Sequence, residues 1–215
     1  MPVLAYIIIA VGAYLLGSLP TGFLVARARG VDIRTVGSKN MGATNVFRVL
    51  GKGPGTLVLL VDLLKGLGAV LLGRYFVQHI MVVDDCAWYH QAGAGIIAGA
   101  GAILGHNYTC WLGFKGGKGI ATSGGVIVAL VPWAFLVALV TWIVCFVASR
   151  FVSVASIAAA AVLPFATWFT THNLMLTVVT GAMGALAIYK HKANIQRLLN
   201  GTENRFHFKK KETAP

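Results

Sequence analysis

Long apolar stretches alternate with short polar ones along the whole chain. Residues 1–26 carry no charged side chain before Arg27 and Arg29, and further apolar runs cover 56–76, 91–105, 120–149 and 151–189. A helix needs about 20 apolar residues to cross a bilayer core about 30 Å thick, so the pattern predicts an all-α polytopic membrane protein. The last two runs are too long for one crossing each. Dividing 120–149 near Pro132 and 151–189 near Thr170–Asn173 predicts seven transmembrane helices, with five as the fallback. No basic segment precedes the first run, which argues for a retained spanning helix rather than a cleaved signal.

Composition agrees. Hydrophobic residues make up 57% and charged ones 11%, against about 25% charged in a soluble domain, and mean hydropathy is +0.77. Eighteen Lys and Arg against six acidic residues give a net charge of +12. In a membrane protein such an excess marks cytoplasmic loops facing anionic lipid rather than nucleic acid. The segment Arg27–Lys52 is strongly basic, whereas Val77–Gln91 has two Asp and no Lys or Arg. The first is therefore expected inside and the second outside, with the N-terminus outside. Lys192, Arg197, Arg205 and the triplet Lys209–Lys211 put the C-terminus in the cytoplasm, which requires an odd number of crossings. Residues 1–205 read as one membrane-embedded domain and 206–215 as a basic cytoplasmic tail that meets lipid headgroups. Cys86, Cys110 and Cys145 lie far apart and suggest neither a zinc site nor a disulfide framework.

With seven helices, four polar stretches fall on the cytoplasmic face. In GSKNMGATNVFR, Gly37 and Gly42 let backbone amides turn toward an anion, Ser38, Asn40, Thr44 and Asn45 offer short-range hydrogen bonds, and Arg48 can grip two oxygens at once. The same residues would also make a turn leading into a helix capped by Thr44 or Asn45. In GHNYTCWLGFKGGKG, Lys115 and Lys118 lie among Gly116, Gly117 and Gly119 just before a helix, a combination of bare amides, helix N-terminus and lysine suited to an anion. It is no nucleotide-hydrolysing loop, because Lys118 is followed by Gly119 and no strand precedes it. His106 reads as an interfacial hydrogen-bonding residue. Ser153 and Ser156 share a helix face, as donors to an anion or as small packing residues of the kind also suggested by Gly95-x-x-x-Gly99 and Gly101-x-x-x-Gly105. Last, His191 and Asn194 are three apart on what reads as a continuing helix, with Glu203 beyond Gly201, a grouping able to hold or orient a proton.

The ordered motifs GSxNxGATNxxR, GHxxxxxxxFKGGKG and HxxNIxRLLxGTE resemble the bacterial acyl-phosphate:glycerol-3-phosphate acyltransferases of the PlsY type. The resemblance runs from the first helix to about Arg205; Met41 departs from the proline common in that loop. It implies seven helices around a cytoplasm-facing cleft in the bacterial inner membrane, and transfer of a fatty acyl group from acyl phosphate to the 1-hydroxyl of glycerol 3-phosphate. The products would be lysophosphatidic acid and phosphate, the first step of phospholipid synthesis. By the same resemblance Ser38, Arg48, Lys118, His191 and Asn194 are the expected catalytic set. Gly37, Asn40, Gly42, Thr44, Asn45, Lys115, Gly116, Gly117, Gly119, Ser153, Ser156 and Glu203 are expected to bind substrate. The glycines of 116–119 would stabilise the oxyanion or the departing phosphate, and neither metal nor cofactor is implied. His191 and the substrate's own phosphate compete for the role of base.

Other readings are available. A transporter of small phosphorylated solutes would share the helices and anion-binding loops, but would place polar groups at the bilayer midplane in repeated halves, and no repeat is visible. The pattern H-x-x-x-x-D from His79 to Asp84 belongs to another acyltransferase type, yet falls on the external side. Asp62 and Lys65, three apart inside the second run, can pair, and are equally consistent with support of the site and with a structural ion pair.

Overall fold

The computed structural model describes residues 2–79 and 88–206. The His79–Asp84 pattern, Cys86 and the basic tail beyond Phe206 therefore lie wholly or mostly outside the described residues. All regular structure among the described residues is helical: α1 (Pro2–Ser18), α2 (Thr21–Arg27), α3 (Ala43–Leu50), α4 (Lys52–His79), α5 (Trp88–Asn107), a 3-10 turn (Cys110–Leu112), α6 (Ile120–Leu130), α7 (Pro132–Ser149), α8 (Val152–Thr171), α9 (Leu174–Lys190) and α10 (Lys192–Leu199). The expected breaks near Pro132 and at 170–173 are both present. Among the described residues, Val3–Arg27, α4, α7 and α8 are each long and apolar enough to cross a membrane, and the α9–α10 pair, bent by 54°, adds a fifth if counted as one broken span. Helix α6 has 11 residues, too few to cross unaided.

By packing the chain divides into Met1–Phe135 and Leu136–Pro215. In the first unit the small-residue stripes bring helix backbones together. A Cβ on Gly101 would meet the Ala10 carbonyl, one on Gly105 the Tyr14 carbonyl, and one on Gly17 the Ala102 carbonyl. Tyr6 Oη lies 2.9 Å from His90 Nδ1, and Tyr14 Oη donates to the Tyr108 carbonyl at 2.7 Å. Residue numbers rise together along this pair, so α1 and α5 run in the same sense. Helix α4 opposes α5, with Gly73 against Ala94 and Ala98 and Gly99 against Val70, and the seam closes around Ile9, Ala13, Ala69, Val77, Ala98 and Ala102. Association of this kind rests on close van der Waals contact, because lipid competes for every apolar side chain.

Helix α6 lies along α4 in the same sense: a Cβ on Gly66 would meet the Thr122 carbonyl, and Arg74 Nη1 donates to the Ala129 carbonyl at 3.0 Å. Arg74 thereby satisfies an acceptor in the last turn of α6 that has no intrahelical donor. Beneath the segment joining α2 to α3, a second cluster packs Ala26, Ile33, Met41, Val46 and Val58.

In the second unit α8 and α9 form a hairpin. The chain turns at His172 (φ 48°), and Asn173 caps α9 by accepting from the Leu176 amide at 3.0 Å. Pro164 inside α8 has no N–H to offer the Ala160 carbonyl. That carbonyl faces Gly184 of α9 instead, where any side chain would collide with it. Instead of continuing, the helix carrying His191 breaks at that residue, which ends α9 and precedes α10.

Candidate active site

Among the described residues, polar side chains gather in both units. In the first, residues 33–45 are wrapped around a buried amide. Asn45 Oδ1 accepts from the Ser38 amide at 2.8 Å, while Nδ2 lies 3.2, 3.1 and 2.9 Å from the carbonyls of Ile33, Val36 and Asn40. Asn40 Oδ1 in turn accepts from the Gly42 amide at 2.8 Å. Asn45 is 1% exposed, and both ends of its amide are committed to the loop, which makes it a scaffold rather than a hand on a ligand. The cap expected from Thr44 or Asn45 is absent: Gly42 holds the N-cap of α3 without a side-chain cap. Gly37 has φ +60° with Asn45 Oδ1 directly beneath it, a position only glycine fills without strain. Ser38 and Thr44 are half-buried, and Arg48, in the last turn of α3, is exposed.

The second glycine loop is folded back on the end of α5. The Gly116 amide donates to the Asn107 carbonyl at 3.2 Å and the Gly117 amide to the His106 carbonyl at 3.0 Å. This corrects the expectation that the amides of 116–119 are all bare donors, since the first two are already bonded. Gly119, at φ +80°, opens α6, and a Cβ there would meet Asn107 Oδ1. Lys118 is half-buried and Lys115 exposed. Asp62 and Lys65 pair at 2.8 Å, with His106 Nδ1 3.6 Å from the same carboxylate oxygen, and all three are buried. Beside this loop, Leu19, Pro20, Phe23, Leu24, Trp111 and Leu112 line an apolar depression.

In the second unit Glu203 is the hub. Its Oε1 accepts from Ser153 Oγ at 3.0 Å and from Asn194 Nδ2 at 2.6 Å, and its Oε2 from Arg197 Nε at 2.7 Å. Burial alone would raise the carboxyl's pKa, but the bonds from Asn194, Arg197 and Ser153 outweigh it and hold it below the usual glutamate range. Because the carboxylate requires a donor, Asn194 must present Nδ2 to it, which orients Oδ1 as the amide's accepting end. Ser156 is bonded to the Trp142 indole, Nε1 donating at 3.2 Å. His191 Nδ1 lies 2.8 Å from the Ala187 carbonyl, which can only accept, so Nδ1 carries the hydrogen and the neutral ring's basic atom is Nε2.

Arg197, Asp62, Lys65 and His106 join these clusters without standing among the residues expected to bind or catalyse. An i, i+3 spacing signalled the Asp62–Lys65 pair, but no spacing signals His106 as its third member or Arg197 as the partner of Glu203 across a helix end. Chemically, the first unit offers lysines, an arginine, a serine and a helix N-terminus suited to phosphate oxygens. The second offers an oriented amide oxygen and an imidazole nitrogen suited to a hydroxyl.

A model of the glycerol-3-phosphate acyltransferase family matches residues 7–201. Glycerol-3-phosphate acyltransferases from Geotalea daltonii and Geobacter metallireducens are 45% and 47% identical over 200 residues, covering 93% of this chain and 97% of each relative. Two crystal structures of PlsY, an integral membrane glycerol 3-phosphate acyltransferase, have the same fold. The glycerol 3-phosphate form gives a TM-score of 0.82 at 38% identity over 94% of this chain and 96% of that one. The lysophosphatidic acid form gives 0.79 at 37% identity over 94% and 95%.

Proposed function

The chain belongs to the glycerol-3-phosphate acyltransferase family, and from that premise we propose how its residues divide the reaction. The enzyme is an integral-membrane acyltransferase that acylates glycerol 3-phosphate to lysophosphatidic acid, and the solute-transporter reading has no support among its relatives. The donor is an acyl phosphate. The 1-hydroxyl oxygen of glycerol 3-phosphate attacks the acyl carbon, the bond from that carbon to the phosphate oxygen breaks, and the hydroxyl proton ends on the departing phosphate, so that charge and atoms balance without an external base.

Ser38 and Arg48 hold the phosphate of the acceptor, for which the two-pronged guanidinium is suited. Lys118, Lys115 and the Gly119 amide at the start of α6 stabilise the oxyanion and the departing phosphate, where the loss of one donor costs about 2.7–4 kcal/mol. Gly116 and Gly117 shape that loop. Asn194 Oδ1 and His191 Nε2 position the acceptor hydroxyl, with Glu203, Ser153 and Arg197 fixing Asn194. The apolar depression beside Leu19 and Trp111 receives the acyl chain. Gly37, Asn40, Gly42, Thr44 and Asn45 give the first loop its shape, and Ser156 anchors the start of α8 through Trp142.

The finer topology is seven crossings of a bacterial inner membrane, with the N-terminus outside and the site open to the cytoplasm. It is supported by the charge asymmetry of the polar stretches and by the shared sense of α1 with α5 and of α4 with α6, as alternating crossings require.

The observation that carries this reading is the family match, whose span contains every residue assigned a role except Glu203. The test is purified protein in detergent given palmitoyl phosphate and glycerol 3-phosphate. Equal amounts of lysophosphatidic acid and inorganic phosphate are expected, and no product under these conditions refutes the assignment of the donor.

A further inference from the structure

Asp62, Lys65 and His106 have no part in the chemistry above, yet they are 2%, 5% and 5% exposed. Charged side chains within a membrane span are expensive to insert, and an aliphatic residue would fill the same space. Lys65 Nζ, paired with Asp62, also donates to the Leu19 carbonyl at 2.9 Å, at the non-helical joint between α1 and α2. The His106 ring has Nδ1 3.6 Å from Asp62 Oδ1. Its Nε2 faces the Cα of Gly117, where a Cβ would collide with it, and its own carbonyl accepts the Gly117 amide. The imidazole therefore fills the whole gap between an ion pair on α4 and the loop that carries Lys118.

We propose that Asp62 and His106 are positioning residues for the 116–119 loop: the Asp62–Lys65 pair sets the His106 ring, and the ring sets Gly117 and with it the grip of Lys118 and the Gly119 amide on phosphate. The inference rests on the reading of that loop as a phosphate site. It follows the general pattern in which an outer partner orients the group that touches the ligand. Gly117 has no side chain because the ring occupies that volume.

The test uses the full-length enzyme in detergent, with palmitoyl phosphate and glycerol 3-phosphate varied in turn. Lys118→Ala first identifies the substrate served by the loop, as the one whose KM it raises. His106→Phe keeps the size of the ring and removes both nitrogens; it is expected to raise that same KM roughly ten- to hundredfold while leaving the other KM within about threefold, the scale of a small misplacement transmitted to a site. His106→Gln, which keeps a polar end within reach of Asp62, is expected to restore most of the lost affinity. If His106→Phe does not fold, the charge-neutral replacement of Asp62→Leu with Lys65→Met is expected to give the same split. Equal rises in both KM values, a change in kcat alone, or unchanged constants in folded variants overturn the inference. A Lys118→Ala enzyme with both KM values unchanged defeats the phosphate reading of the loop and this inference with it. A selective Lys118 effect without a matching His106 effect defeats the inference alone.

Discussion

Replacing Glu203 by glutamine keeps the length of the side chain and removes its charge. The carboxylate accepts three bonds through two oxygens, from Ser153, Asn194 and Arg197. A glutamine offers one oxygen and one NH2 group, so either the Arg197 bond or the Ser153–Asn194 side must face a donor with a donor. A hydrogen bond to a charged group is worth about 1.5–3 kcal/mol. The Arg197 side chain is 33% exposed, so water recovers part of that, and about 1–2 kcal/mol remains, a factor of roughly 5–30. If the amide of Asn194 turns over to suit the new partner, the loss is expressed in kcat; if the 203 segment detaches, it is expressed in unfolding temperature. The assay is therefore kcat at saturating concentrations of both substrates, beside thermal unfolding in detergent. The wild-type carboxyl titrates below its ordinary value of 4.5. Its contribution to stability is thus complete above that value and disappears as pH falls through the lower, folded-state pKa, whereas the glutamine variant has no such contribution to lose. A variant with wild-type kcat, unfolding temperature and acid sensitivity would refute the reasoning.

Three further outcomes are expected. Arg48→Lys keeps the charge and loses two-pronged binding, so it should raise the KM for glycerol 3-phosphate more than that for acyl phosphate, and equal effects would remove Arg48 from the acceptor phosphate. His191→Gln should keep much of the turnover and a pH profile following a group near 6, as the second ionisation of a phosphate gives, whereas His191→Ala should lose it. A Gln variant slowed by about 10²–10⁴ with no pH dependence would make His191 the base. A cysteine placed at Arg205 should be shielded from an impermeant thiol reagent in intact cells while one at His172 reacts, and the reverse labelling would overturn the orientation.

Much of the helical framework is legible in the sequence because apolar runs and their punctuation are local. Pro132 opens a new helix where a proline belongs, and His172 and Asn173 end and restart the chain where polar residues interrupt a run. The polar stretches are legible for the same reason, each being contiguous. Their roles are less so, because these depend on partners far along the chain. Asn45 looks like a ligand donor until its amide is seen bonded across the loop to Ile33 and Val36, and Gly116 and Gly117 look like bare amides until they are seen to meet the carbonyls of Asn107 and His106. The break at His191 has no glycine or proline to announce it. His106 needed a partner on a different helix to acquire a meaning.

The short α6 depends on α4 to satisfy its end. Its 11 residues rise about 16 Å at about 1.5 Å per residue, roughly half the hydrocarbon thickness. A helix this short in an apolar setting depends on the protein for donors to its last carbonyls. Arg74 supplies a donor there, through its bond to Ala129, and it belongs to a helix synthesised earlier. The donor that completes α6 therefore precedes it along the chain, and α6 is satisfied once it packs on α4.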